Sequence, residues 1–300
     1  MRKIIGWVLL ALGTFLIAIG LMAALWAPGQ VTRTPLDTDS TTRLSGNADK
    51  LNPATGDVEN IDVQATSITK ADSEKSDDNV VVFVNSTCLV IADGSDDVPD
   101  CVDAKDPEGR LVTASTDVFA TDRSDGTAVN GSSYLPPDAE EKTGLVNKWP
   151  FDAEKKTYPY WDGLMGEAVD ATYDGTETID GLETYRYHVV VEEAATEVVE
   201  GVDGIYSQDK FIWIDPVTGS IVNQTQHEVR QLEDGSPVLD LTLAFTDDQV
   251  SANAADAKDN GGTLGLLTGT VPLVGIIGGI LALLAGAFLL WSSARREKSA

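Results

Sequence analysis

Two histidines and two cysteines are the scarcest reactive side chains in this 300-residue chain, and neither pair forms a catalytic arrangement by itself. His188 and His227 each fall in a run that alternates like a strand, beside Tyr187 and Glu228. Neighbours along a strand point to opposite faces, so His227 and Glu228 are not an acid–base dyad. No serine sits in G-x-S-x-G, no glycine-rich phosphate loop is present, and no set of ligands has metal spacing. The 48 Asp and Glu residues leave glycan hydrolysis by a carboxylate pair as an alternative, but nothing selects a pair. The residues read as a non-enzyme with no cofactor and no metal.

Cys88 and Cys101 enclose a polar, turn-forming stretch, IADGSDDVPD. Outside the cytoplasm such a pair points to a disulfide closing a short loop. The alternatives are two free thiols, or a metal site, which would want more ligands. Asp93, Asp96, Asp97 and Asp100 in that loop invite calcium, yet the EF-hand spacing and its terminal Glu are missing, so the loop reads as solvated.

The other chemistry-bearing stretch is aromatic. Tyr134, Trp149, Phe151, Tyr158, Tyr160 and Trp161 cluster among prolines 136, 137, 150 and 159, which exclude regular helix and central strand over much of the segment. Rings on a proline-stiffened loop suit an apolar ligand or a partner surface; the competing reading is a core plug between sheets. Trp149, Phe151, Tyr158, Tyr160 and Trp161 are the candidate ligand-binding set. Asn85, Asn130 and Asn223 head N-x-[ST] sequences, which matter only in a host that glycosylates exported proteins.

The elements that position these groups begin with two uncharged apolar runs, Ile4 to Trp26 and Val271 to Trp291. Each is long enough, at ~1.5 Å per residue, to cross a hydrocarbon core of about 30 Å. Arg2 and Lys3 precede the first, and Arg295, Arg296 and Lys298 follow the second. Basic flanks favour the cytoplasmic side, which gives a two-pass plasma-membrane protein with both termini cytoplasmic and the main domain outside. A cleaved signal is the alternative for the first run, but it is longer than a signal core and Pro28 falls where cleavage would occur. Gly6, Gly13 and Gly20 recur every seven residues, and Gly275 and Gly279 form a small-xxx-small pair, which suits close helix packing. Neither run holds an ionisable residue, against an ion or proton path through them.

Five of the 21 basic and one of the 48 acidic residues lie in the two tails, which leaves the segment between the spans at a net charge of −31. Nucleic acid is thereby excluded as a partner. Residues 1–27 are read as the first span, 28–56 as an extended linker, 57–250 as the outer domain, 251–263 as a short helix or linker, 264–293 as the second span and 294–300 as a cytoplasmic tail. The outer domain reads as mainly β, an antiparallel fold: Ile61 to Ala65, Val80 to Val84, Cys88 to Ile91, Leu111 to Ala120, Leu182 to Val191, Phe211 to Ile214, Ser220 to Val229 and Leu239 to Phe245 are apolar or alternate. Asp106-Pro-Glu-Gly109 echoes Asp215-Pro-Val-Thr-Gly219, which raises two related β-halves flanking the aromatic middle, with chance recurrence of a turn as the alternative.

This frame, together with Trp149-Pro-Phe-Asp152, Lys156-x-Tyr158-Pro-x-Trp161-Asp162, Gly181-Leu-x-Thr-Tyr185-x-Tyr187 and Trp213-Ile-Asp-Pro-x-Thr-Gly219, resembles the actinobacterial PorA-type family over almost the whole chain. The resemblance implies a host with a mycolate outer layer and a role in envelope assembly. Its implied partners are an envelope glycolipid of the trehalose mycolate type and the membrane proteins of lipid export or glycolipid synthesis, including lipomannan and lipoarabinomannan maturation. No residue of these motifs is an established catalytic or ligand site. A porin is an alternative that the residues suit poorly, because two apolar helices make no aqueous pore and the β-region is too acidic for a lipid-facing barrel. A ligand-free scaffold for envelope membrane complexes is the remaining alternative.

Overall fold

The computed structural model describes residues 1–52, 55–92, 94 and 98–298, with the side chains of 296–298 left aside. Its chain forms two compact units, Met1–Arg33 with Asp259–Ala300, and Thr34–Lys258.

The first unit holds helix α1 (Arg2–Leu25), the four-residue α2 (Pro28–Val31), the end of α3 (Asp247–Gly265), a π-helical turn (Leu266–Thr270) and α4 (Val271–Lys298). α1 and α4 are long and apolar enough to span a membrane. They pack antiparallel along a glycine seam. A Cβ added at Gly13 would lie 2.7 Å from the carbonyl oxygen of Gly279, one at Gly6 would lie 3.2 Å from that of Gly286, and one at Gly275 would meet the Gly20 backbone at 3.0 Å. In lipid, such backbone approach supplies the dispersion contacts that hold helices together.

Among the described residues the second unit is one antiparallel sheet of ten strands: β1 (Asp39–Leu51), β2 (Val58–Ala71), β3 (Val80–Ile91), β4 (Leu111–Asp122), β5 (Tyr158–Asp162), β6 (Glu167–Ile179), β7 (Leu182–Val199), β8 (Val202–Ile214), β9 (Ile221–Leu232) and β10 (Pro237–Phe245). The spatial order is β4-β3-β2-β1-β10-β9-β8-β7-β6-β5. Two meanders therefore run outward from the central β1–β10 pair, and the sheet curls. The segment between β4 and β5, here called the strap, links both edges: Thr121 bridges Ala128, Thr127 bridges Leu145, and Leu145 bridges Tyr160. On one face of β3 and β4, Val80, Val82 and Ala120 pack against Leu135 of the strap. On the other, Val81, Phe83 and Phe119 meet Val146. The strap thus wraps the β4 edge.

Two expectations need correction. The linker of 28–56 contains β1, whose Leu44 and Ala48 are buried in a cluster with Val63, Leu89 and Leu241. Its sequence, DSTTRLSGNADKL, hides this because Gly46 and polar residues replace the usual alternation; a Cβ at Gly46 would fall 1.9 Å from the Thr242 carbonyl oxygen. The two echoing turns also lead into non-equivalent strands. One precedes β4 at the sheet edge and the other joins β8 to β9 inside it, so the four-strand and six-strand sets are not a repeat in this topology.

Candidate functional site

The aromatic segment is where sequence and structure meet most directly. The turn Asp215–Gly219 is closed from within: Asp215 is buried, its Oδ2 accepts the N–H and the hydroxyl of Thr218 at 3.0 and 2.6 Å, and Gly219 N–H donates to the Asp215 carbonyl at 2.8 Å. The strap clasps this turn through three backbone bonds. Trp149 N–H donates to Gly219 O at 2.8 Å, Asp152 N–H to Val217 O at 3.2 Å and Ala153 N–H to Pro216 O at 2.8 Å. The two tryptophan motifs, 149–152 and 213–219, are therefore the two sides of one clasp.

The clasp drives Trp149 into the curl of the sheet, where it is completely buried. Its ring stacks on Tyr160 at 5.3 Å and tilts against Tyr187 at 5.1 Å, while Tyr158 meets Tyr187 edge-on at 5.8 Å. Tyr158 accepts the Glu154 N–H at 2.9 Å on its hydroxyl, and Tyr187 O–H donates to the Glu154 carbonyl at 2.7 Å. Leu145, Val189, Ile212 and Ile214 complete the cluster. Burial pushes the Tyr160 phenol up to about 12, aided by the nearby Asp162 charge, and raises that of Tyr187 as well.

Of the five candidate ligand-binding residues, Trp149, Tyr158 and Tyr160 are thus brought together in one core. Tyr158, Tyr160 and Trp161 lie on β5 rather than on a loop; Pro159 is tolerated because β5 is an edge strand. Trp161 faces the other way, buried, with Lys142 Nζ 4.8 Å over its ring. Phe151 is half-buried beneath Lys148 Nζ at 3.7 Å. Lys148 Nζ also lies 3.3 Å from Thr34 Oγ1, and burial lowers its pKa to about 7. The rings pack on one another and do not frame an opening. For Tyr158 and Tyr160 that packing favours the competing reading of the segment, a core plug.

A polar group was missed. Tyr206, Gln208 and Lys210 alternate along β8, so their side chains share the face that carries Ile212 of the aromatic core. Tyr206 O–H lies 3.0 Å from both Asp162 Oδ2 and Gln208 Oε1, and Glu228 holds Arg230 at 2.6 Å. Burial lowers the pKa of Lys210, with Asp162 and Glu228 acting against it. Alternation of Tyr, Gln and Lys against Ser, Asp and Phe was the signal available in the sequence, but it does not say which face is inside.

The histidines are outside any such cluster. His188 Nε2 is 2.8 Å from Asp209 and its ring stacks on Phe211 at 4.2 Å; His227 Nε2 is 2.8 Å from Asp240. Cys88 and Cys101 form a disulfide, and a groove of about 310 Å³ opens beside it along Thr66, Ile68, Ser86, Ala114 and Thr116. Asp93, Asp96 and Asp97 lie outside the described residues, while Asp100 makes a two-point bond to Arg43 at 2.7 Å. No group of three or more His, Cys, Asp or Glu side chains among the described residues could hold a metal ion.

The family model described as Porin PorA matches residues 5–288. A relative from Corynebacterium amycolatum, described as Porin PorA, is 31% identical over 101 residues, which cover 30% of this chain. The chain matches only 26% of that relative's length. The chain belongs to the Porin PorA family.

Proposed function

We propose that this member of the Porin PorA family is a non-enzymatic, membrane-tethered protein of the cell envelope that works as a scaffold. In this reading both termini are cytoplasmic, as Arg2, Lys3 and the basic C-terminal tail favour, and the sheet unit docks envelope components at its outer surface. The observation that carries the reading is the complete burial of Trp149 against Tyr160 and Tyr187. Trp149, Tyr158 and Tyr160, three of the candidate cleft residues, pack into the core, which supports this reading over a glycolipid cleft, and a stacked ring pair in the middle of the curl does not favour a water-filled path through it. The close α1–α4 seam, free of ionisable side chains, does not favour one between the helices either.

Glycolipid handling, with a trehalose mycolate type of ligand and an export or lipoarabinomannan-assembly partner, is the second reading. The groove beside the disulfide favours it, because its lining mixes Ile68 and Ala114 with the hydroxyls of Thr66, Ser86 and Thr116. Mass spectrometry of lipids held by the full chain after mild detergent extraction, set against the bulk membrane lipid, separates the two. A glycolipid enriched to about one per chain would replace the scaffold reading; a profile matching the bulk supports it.

A further inference from the structure

The sheet ends differently on its two sides. β5 has five residues, contains Pro159, and its far side is occupied by the strap: Leu145 N–H donates to Pro159 O at 2.8 Å and Trp161 N–H to Leu145 O at 2.7 Å. β4 has twelve residues, and the strap reaches only one end of it, where Val129 N–H donates to Ala120 O at 2.8 Å and Thr121 bridges Ala128. Among the described residues no strand lies beyond β4 from Leu111 to Val118. Such a row of N–H and C=O groups is a template for another strand, and proteins usually blunt it with lysine, proline or a short length. Val112–Thr116 has no charge, no lysine and no proline, and Thr113, Ala114, Ser115 and Thr116 are exposed.

We propose that two copies of this chain pair through β4, antiparallel, about a two-fold axis at Ala114. The choice of a second copy rests on charge. The uncharged stretch is bracketed by Arg110 at one end and Asp117 at the other. The ladder to β3 skips a residue here, since Leu89 faces Thr113 but Val90 faces Leu111. A pairing about Ala114 that carries the same skip sets Ser115 opposite Thr113 of the second copy, Thr116 opposite its Leu111, and Asp117 opposite its Arg110. Opposed residues must share a face, and these do: Asp117 faces Asn85 on β3, while Arg110 faces Ile91, whose N–H donates to its carbonyl at 2.8 Å.

Each copy thus brings one cation and one anion to the matching ends of the junction. Asp117 is 39% exposed and touches Lys142 at 3.2 Å through one oxygen, so it can accept a second cation. Arg110 already bonds Asp106 and Glu108 at 3.1 Å, and the second copy's carboxylate would join that group. Elsewhere the strongly acidic surface opposes self-association, which leaves this uncharged edge as the approach with least repulsion. Threonine and serine opposite one another add cross-strand contacts.

The test uses the full chain in a neutral detergent, with its mass followed by sedimentation equilibrium over a dilution series. A dimer is expected, with amides of 111–117 protected from hydrogen exchange and losing protection on dissociation. Arg110→Asp or Asp117→Arg alone should weaken the dimer about tenfold, since each loses two opposite-charge pairs and gains two like-charge ones, and the double swap should restore it. Should either charge variant fail to fold, Ala114→Lys is the second probe: the side chain is exposed, and it would set two ammonium groups on the axis. A chain that stays monomeric throughout the series overturns the proposal. So does a dimer indifferent to Ala114→Lys and to the charge swaps, which would be held by its helices instead.

Discussion

The main-chain N–H of Trp149 donates to the carbonyl oxygen of Gly219 at 2.8 Å, and a Cβ built on Gly219 would fall 2.0 Å from the carbonyl oxygen of Trp149. Gly219 also has φ +74°, in the left-handed region that side chains disfavour. Both faults strike at the clasp that seats Trp149. Gly219→Ala should destabilise the sheet unit by about 3 kcal/mol or more, read as a lowered midpoint in denaturant with the disulfide intact. A loss below about 1 kcal/mol would mean that the strap does not need the turn.

The sheet class, seven of its strands in outline (β2 to β4 and β7 to β10), both apolar helices and the cysteine pairing were legible because each depends on a local pattern. β2, β3, β7 and β8 alternate or run apolar, and Gly6, Gly13 and Gly20 repeat at seven. β1 was not legible, because its place in the sheet is set by partners on β2 and β10 and not by its own polar sequence. The aromatic segment was legible as special but not as core: whether a ring lines a cleft or fills it depends on the curl of the sheet, which no local period encodes. Lys210 and Tyr206 were lost for the same reason, since alternation assigns faces without saying which is enclosed.

Tyr158 carries the clearest separation of binding from folding. It is buried, meets Tyr187, and its hydroxyl accepts the Glu154 N–H. Tyr158→Ala should cost about 3 kcal/mol or more of stability from the lost packing. Tyr158→Phe should cost about 1 kcal/mol by leaving that N–H without its acceptor. Urea unfolding of both variants checks the ratio; equal, small losses would return Tyr158 to the surface role expected from sequence.

Lys148 makes stability depend on pH in a defined direction. Burial lowers its pKa to about 7 from an ordinary value of 10.5. Between those two pH values the unfolded chain binds more protons than the folded one, so this residue's contribution to stability rises with pH. Below about 7 the amine is charged in both states and the burial penalty is complete. Lys148→Met should therefore be more stable than the parent at pH 6, and its advantage should shrink by pH 9. Melting temperatures of the two proteins at both pH values give the comparison; a gap that stays constant would rule out the depressed titration.

The glycine seam between α1 and α4 permits the last test, because it separates helix packing from mere hydrophobic insertion. Gly13 sits where a Cβ would lie 2.7 Å from the Gly279 carbonyl oxygen and 2.9 Å from the Leu283 side chain and backbone. The clash is with backbone on the far helix, so rotamer changes cannot relieve it. Gly13→Leu adds apolar surface and leaves insertion into the bilayer undisturbed, yet it must push α4 away. Gly278 has nothing within 4 Å of its Cβ position, so Gly278→Leu is the matched control on the same pair of helices. With one cysteine introduced near the end of each helix, at Ile4 and Ser292 beside the approach of Gly6 to Leu290, distances between spin labels by electron resonance in lipid nanodiscs should lengthen and broaden for Gly13→Leu. Gly278→Leu should leave them as they are. If the two substitutions behave alike, the heptad glycines are a by-product of membrane composition and not the surface on which the spans meet.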